Sequence, residues 1–313
     1  MSQAAAQSSA SASADVIVVG AGPAGSSAAY HMATLGLDVI LLEKQELGRD
    51  KVCGDGLTPS AVRELVSMGM DTTGWQRNRG LRVIGGGHLL HFPWPEQASF
   101  PSYGMARPRA LLDRDLAEHA AAAGARLLTG VTVTAPVTSP TGRVTGVEAR
   151  PTNRVAYPGI EGPTTFTAPL VVDAGGVSAR LATAVGRTKN ERRPMGVAVR
   201  AYFRSPRAQD AWMESRLELW DGTPGKSDLL PGYGWIWSVG EGLVNVGLGS
   251  VSSRAQATAI DYRAVFNRWM DNVPASWGFI KENQVGGLVS AALPMAFNRK
   301  PHYADGLIDR KSV

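Results

Sequence analysis

The stretch Val16-Ile17-Val18-Val19-Gly20-Ala21-Gly22-Pro23-Ala24-Gly25 decides the fold. Its four β-branched residues predict a short buried strand, and Pro23 to Leu35 has the composition of a helix. Between them stands G-x-G-x-x-G, at Gly20, Gly22 and Gly25. Each glycine has a mechanical reason. Gly20 permits the tight turn off the strand, Gly22 lets backbone approach a pyrophosphate, and Gly25 lets the helix pack on the strand. The helix then aims its N-terminal N–H groups, with their partial positive charge, at the phosphates. A second apolar run, Leu37 to Leu42, ends in Glu43, eighteen positions after Gly25 (43 − 25). A carboxylate there accepts hydrogen bonds from both ribose hydroxyls and repels a 2′-phosphate. Alone the glycine pattern is weak. Framed by strand, helix and acid it is specific for a dinucleotide, although it leaves FAD and NAD undivided.

Outward from that nucleus, strand–helix–strand order opens a doubly wound parallel sheet. A short helix is expected near Ala61 to Ser67. Leu81 to Phe92 reads as a hairpin around Gly85-Gly86-Gly87. Arg109 to Ala123 is a helix with Leu112, Leu116 and Ala120 on one face and Gly124 as its stop. Strands are expected at Val131 to Ala135, Val144 to Ala149 and Leu170 to Asp173. The last leads into Asp173-Ala174-Gly175-Gly176-Val177-Ser178, a turn that brings backbone to a ligand a second time, before a helix at Ala179-Arg180. After about Arg192 the pattern changes. Val197 to Phe203, Arg216 to Trp220, Tyr233 to Val239 and Leu243 to Leu248 alternate or carry aromatics at strand spacing, which indicates an antiparallel sheet. The fold class is α/β: a Rossmann-like nucleotide-binding domain with a second, antiparallel-sheet domain. Residues 15–80, 105–190 and 286–308 are expected to form the first, discontinuous domain, and 81–104 and 191–285 the second.

The formal net charge of +5 comes from scattered basic residues, so no nucleic-acid footprint is read. A lone cysteine, Cys53, excludes an intramolecular disulfide framework and fits a reducing compartment. No apolar run approaches the roughly 18 residues that span a bilayer. Residues 1–14 are mostly Ala, Ser and Gln, read as a disordered tail and not as a signal peptide. The expected location is cytoplasmic, with peripheral contact at the inner membrane face if the substrate is a lipid. His88 and His91 fall on opposite faces of a strand and do not chelate, and no metal is expected. A G-x-S-x-G elbow is absent, so no hydrolase triad is indicated.

From Asp15 to Leu307 the chain resembles the geranylgeranyl reductase family of FAD-dependent oxidoreductases, within the aromatic-hydroxylase-like flavoproteins. The likeness rests on the fingerprint, on Lys51-Val52-Cys53-Gly54-Asp55-Gly56-Leu57-Thr58-Pro59, on the Arg109 helix and on the Gly176 turn. It rests also on Pro231-Gly232-Tyr233-Gly234-Trp235-Ile236-Trp237, which is similar to the family signature P-x-x-Y-x-W-x-F-P. Within the family the likeness is nearest to the menaquinone reductases, which saturate one double bond of the quinone's isoprenoid tail. The resemblance implies FAD as cofactor, held by Gly20, Gly22, Pro23, Ala24, Gly25, Glu43, Lys44, Arg109, Val133 and Gly176. It implies a prenyl lipid or prenylated quinone as substrate, and NAD(P)H or a reduced carrier as electron donor. A flavin monooxygenase of the same superfamily is the rival enzyme. Three departures stand out. Trp237-Ser238 replaces the signature's Phe-Pro, and Ala174-Gly175-Gly176 replaces the family's Ala-Asp-Gly. The sequence ends at Val313, where the family continues into a Gly-Asp motif that holds the flavin's ribityl and pyrophosphate. That ending reads as a truncation, and an inactive fragment is the third expectation.

Tyr233, Trp235 and Trp237 alternate and so share one face of a strand. As a substrate wall they would suit a prenyl chain, each buried CH₂ of which contributes about 0.8 kcal/mol. The alternative is an aromatic core stripe. Cys53, in a loop that the resemblance places near the flavin, is the candidate for the proton path, against the commoner fate of an inert buried thiol. Arg109 reaches a phosphate or the flavin edge, or is a solvated residue at a helix start.

Overall fold

The computed structural model describes residues 11–152, 162–176, 179–187, 195–252, 260–294 and 302–309. They fall into two compact units, Met1–Arg49 with Ala110–Glu191 and Ala296–Val313, and Asp50–Arg109 with Arg192–Met295.

The first unit is built on a six-stranded sheet. Its order is Tyr303–Ala304, Leu307–Asp309, Leu170–Asp173, Val16–Val19, Val39–Leu42 and Arg126–Leu128. All neighbours are parallel except the first pair. The strands are short and apolar because both faces are covered. Val16, Val18, Val39 and Leu41 point to the helices Pro23–Thr34 and Arg109–Ala122, through Ala29, Ala117 and Ala120. Ile17, Ile40, Leu42 and Val171 point the other way, onto Val131, Val144, Val147, Ala149 and Phe166. That second layer is a four-stranded sheet of Ser11–Ser13, Thr164–Thr167, Val144–Pro151 and Val131–Thr138. The expected strands at Val131, Val144 and Leu170 are thus present. The helix of the Gly176 turn is Leu181–Ala184, later than expected, and Val177 and Ser178 lie outside the described residues.

The reading of 1–14 as a tail is corrected at its end. Ser11–Ser13 pairs in parallel with Thr165–Thr167, Ala14 N–H donates to Thr167 O at 3.0 Å, and Ala12 packs on the core. Edge pairing recruits a segment whose composition carries no strand signal. Residues 1–10 lie outside the described residues.

The second unit carries a seven-stranded sheet, ordered Gln284–Pro294, Met195–Arg204, Leu243–Ser252, Gly232–Gly240, Trp212–Arg216, Gly80–Gly85 and His88–Pro93. The hairpin at Gly86-Gly87 and the long strands match the sequence pattern. The run expected from Arg216 to Trp220 breaks instead into Trp212–Arg216 and Leu219–Trp220. One sheet face, with Val199, Phe203, Ile236, Val246 and Leu248, packs on Val265, Phe266 and Trp269 of the helix Tyr262–Met270. The other face carries Trp235, Trp237, Met213 and Ala198. Residues 50–80, 105–109 and 286–294, grouped by sequence with the nucleotide-binding part, cluster here. Strand pairing explains this, since Gly56–Leu57 pairs with Met105–Ala106 and Gln284–Pro294 pairs along Met195–Phe203.

Candidate functional site

The Gly20–Gly25 turn in the first unit is built as its glycines require. Gly20 has φ +102, and a Cβ on it would lie 2.7 Å from Ala174 O. A Cβ on Gly25 would lie 1.8 Å from Gly20 O, so helix and strand touch through that position. Gly22 differs: a Cβ there meets nothing within 4 Å. The first two glycines are filled from inside the fold, whereas Gly22 faces open space at the N-cap of Pro23–Thr34. No side chain caps that helix and no acidic residue lies in its first turn, so its positive end is left for an anion.

Glu43 is buried at the end of its strand, and its carboxylate turns toward the same turn. Oε2 accepts from Ala21 N–H at 3.0 Å, Oε1 accepts from Gln45 N–H at 3.1 Å, and Arg49 Nε stands 3.9 Å away. Each oxygen keeps a lone pair for a further donor, as a sugar diol demands. The second glycine turn adjoins the first, because Ala174 N–H donates to Val19 O at 2.8 Å. Asp173 braces it, Oδ1 accepting from Gly175 N–H at 3.2 Å. A Cβ on Gly175 would lie 3.2 Å from that same oxygen, so the carboxylate the family carries at this position has little room here. Gly176 has φ +64. An open glycine, an uncapped helix start and a two-handed carboxylate fit the ADP half of FAD. Pro23 and Ala24 begin the helix, Lys44 is exposed beside Glu43, and Val133 packs on the core of the four-stranded layer.

In the second unit the loop from Cys53 to Gly56 is pinned to the sheet. Trp237 Nε1 donates to Gly54 O at 2.6 Å. Trp235 Nε1 donates to Asn245 Oδ1 at 2.8 Å, which fixes the amide's orientation. Asn245 Nδ2 then donates to Cys53 O at 3.0 Å and to Asp55 Oδ2 at 2.8 Å. Tyr202 O–H donates to the same oxygen at 2.5 Å, and Arg109 N–H donates to Oδ1 at 3.1 Å. Asp55 itself holds φ +64, rare for a residue with a side chain, and is 1% exposed. Burial is the largest influence on its carboxyl and raises it from 3.8 to about 6, against the pull of Tyr202, Asn245, Arg200 and Arg109. Tyr202 is pushed above its usual range by burial first and the neighbouring Asp55 carboxylate next. Arg200 stacks on the Tyr202 ring, 4.1 Å from its centroid, and pairs with Asp50.

The aromatic stripe therefore divides. Trp235 and Trp237 stack at 6.0 Å and are buried under the Cys53–Gly56 loop, while Tyr233 is 43% exposed. Cys53 is half-buried, its Sγ accepting from Asp55 N–H at 3.3 Å. The sequence-predicted residues thus form two sets. Gly20, Gly22, Pro23, Ala24, Gly25, Glu43, Lys44, Val133 and Gly176 belong to the first unit, and Cys53, Arg109, Tyr233, Trp235 and Trp237 to the second. Sequence reasoning missed Tyr202, Asn245 and the role of Asp55. One signal was present: Asn245 shares a strand face with Gly247 and Gly249, a polar group where an aromatic partner strand needs room. Among the described residues no cluster of His, Cys, Asp and Glu could hold a metal, and no helix is long and apolar enough to cross a membrane.

Comparison with known proteins agrees with this geometry. The chain is 39% identical over 286 residues to menaquinone reductase of Mycolicibacterium smegmatis, covering 90% of this chain and 65% of that protein. It is 30% identical to digeranylgeranylglycerophospholipid reductase 1 of Methanosphaera stadtmanae, covering 79% of this chain and 57% of that protein. The chain therefore spans less than two thirds of the length of these relatives. A geranylgeranyl bacteriochlorophyll reductase-like protein from Thermoplasma acidophilum has the same fold, with TM-score 0.76, 23% identity and coverage of 95% of this chain and 70% of that one. A model of the FAD binding domain matches residues 13–257, which contain both glycine turns and Glu43. By that match and by the turns themselves, the chain belongs to the FAD-binding domain family.

Proposed function

We propose that the chain is an FAD-dependent oxidoreductase that saturates an isolated double bond in a prenyl chain, of a quinone tail or a geranylgeranyl lipid. The observation that carries this reading is the 39% identity to a menaquinone reductase along 90% of the chain. In this reading the first unit is the FAD-binding domain and the second the substrate domain. Saturating an alkene takes a hydride and a proton, and reduced FAD supplies the hydride when bound. The chain's own residues bind, orient and protonate. Main-chain amides at Gly22 and the start of its helix hold the diphosphate, and Glu43 holds the ribose. Trp235 and Trp237 act as a rigid backing that holds the Cys53–Gly56 loop, and exposed Tyr233 is the member of the stripe left to meet a prenyl chain. NAD(P)H or a reduced carrier is the electron donor, and contact with the membrane is peripheral.

The test is anaerobic. Protein loaded with FAD is bleached with a reductant and mixed with menaquinone in detergent. Return of the yellow colour together with a product whose isoprenoid tail, after the ring is reoxidised to the quinone, is still heavier by two hydrogens supports the reading. A product whose added hydrogens are lost on reoxidation is only the quinol and contradicts it. A product that gains oxygen, only when air is admitted, assigns a monooxygenase instead.

A further inference from the structure

We infer that Asp55 and Tyr202 are paired as proton store and proton donor for the reduction, with Asn245 and the Arg109 N–H as positioning groups. The inference rests on the reading above, because it names the origin of the proton which that reaction consumes.

The geometry is that of a switchable pair. As a carboxylate, Asp55 takes three donors: Tyr202 O–H and Asn245 Nδ2 on Oδ2, and Arg109 N–H on Oδ1. Protonation at Oδ2 reverses the bond to Tyr202. Asp55 O–H then donates to the phenol oxygen, and the phenol proton is released to a new acceptor. Asn245 cannot join this exchange as an acceptor, because its Oδ1 is committed to Trp235 Nε1. The one hydroxyl in the set is that of Tyr202, whose side chain is only part-buried on Met195–Arg204. The charged and titratable groups around the carboxyl are Tyr202 and Arg200 on that strand, Asp50, Lys51 and Cys53 on its own loop, and Arg107 and Arg109 before the helix. Burial pushes the carboxyl up to about 6, within reach of neutral solution, so both states are populated in turn. The phenol is held above its usual range, so it does not persist as phenolate and gives up its proton only as it takes one from Asp55.

The step balances. The Tyr202 proton forms one new C–H bond of the saturated product, and the Asp55 proton moves to the phenol oxygen in the same event. Asp55 is left as a carboxylate held by its donors, and solvent returns the proton. The two electrons and the second hydrogen come from reduced FAD.

The experiment uses the FAD-loaded protein with Asp55→Asn and Tyr202→Phe. Infrared spectra across pH are expected to show a carboxylic acid band that is lost as pH rises through about 6 in the parent, is missing in Asp55→Asn and is displaced in Tyr202→Phe. A band retained in Asp55→Asn, or a midpoint in the ordinary carboxylate range, overturns the store. With menaquinone as substrate, kcat for saturation of the tail is expected to fall as pH rises through the same midpoint, and Tyr202→Phe to lower it by about a hundredfold with little change in KM. An unchanged kcat in Tyr202→Phe overturns the donor. A parent protein that reduces no prenyl double bond refutes the reading of the previous subsection, and the infrared titration still decides the store.

Discussion

Replacing Asn245 with leucine keeps the size of the side chain and removes every hydrogen bond it makes. Asn245 is fully buried, so no water replaces what is lost. Trp235 Nε1 and Cys53 O each lose the partner that held them, and Asp55 Oδ2 loses one of its two donors. A buried polar atom left without its partner costs about 1–3 kcal/mol, so the two orphans together cost roughly 2–6 kcal/mol. The leucine returns about 1 kcal/mol through added apolar burial. The net loss of about 1–5 kcal/mol is a large share of the roughly 5–15 kcal/mol that holds a domain together. At about 2–4 °C per kcal/mol, thermal melting followed by tryptophan fluorescence is expected to fall by about 2–20 °C, centred near 10 °C. Adding Trp235→Phe removes the orphaned indole N–H, so the double variant is expected to lose less than the sum of the singles, by about 1 kcal/mol. A melting temperature within about 2 °C of the parent, or strict additivity of the two changes, refutes the claim that this amide organises the loop.

Two further perturbations act on Asp55 and on the glycine turn of the first unit. Asp55 titrates at about 6 when folded, against 3.8 ordinarily, so the folded protein binds the extra proton between those values. Its contribution to stability is then greatest at acid pH and declines by about 3 kcal/mol as pH rises from about 4 to about 6. Urea titrations at several pH values check the slope, which Asp55→Asn is expected to abolish and which a parallel slope in the variant contradicts. Gly25→Ala places a methyl 1.8 Å from Gly20 O, in backbone that cannot swing aside. It is expected to cost several kcal/mol and to give little soluble protein, at the upper end of about 1–3 kcal/mol for overpacking or beyond it. A normal melting temperature contradicts that packing.

The nucleotide-binding turn was legible because each of its requirements is local. A glycine that must turn, one that must pack and one that must stay open lie within six residues, and the acid follows at the end of the next strand. The antiparallel unit was legible from period-two alternation, which also placed Tyr233, Trp235 and Trp237 on one face. What covers that face was not legible, since a ligand wall and a core stripe have the same pattern. The covering loop lies 183 residues away from Trp237 in sequence. The Asp55 network joins residues 147 and 190 apart, and no periodicity links them. Ser11–Ser13 was hidden for another reason: small residues of weak strand propensity pair there because a sheet edge and a core are already in place.

The central claim is that Gly22 is left open in order to admit a diphosphate. Gly22 has φ −81, and a methyl added to it touches nothing, so Gly22→Ala is compatible with the fold. Titration of apoprotein with FAD, read by quenching of flavin fluorescence, tests the claim directly. The account predicts a variant that melts within about 2 °C of the parent and binds FAD at least about tenfold more weakly, a loss of about 1.4 kcal/mol. Unchanged FAD affinity in a folded Gly22→Ala protein would contradict it.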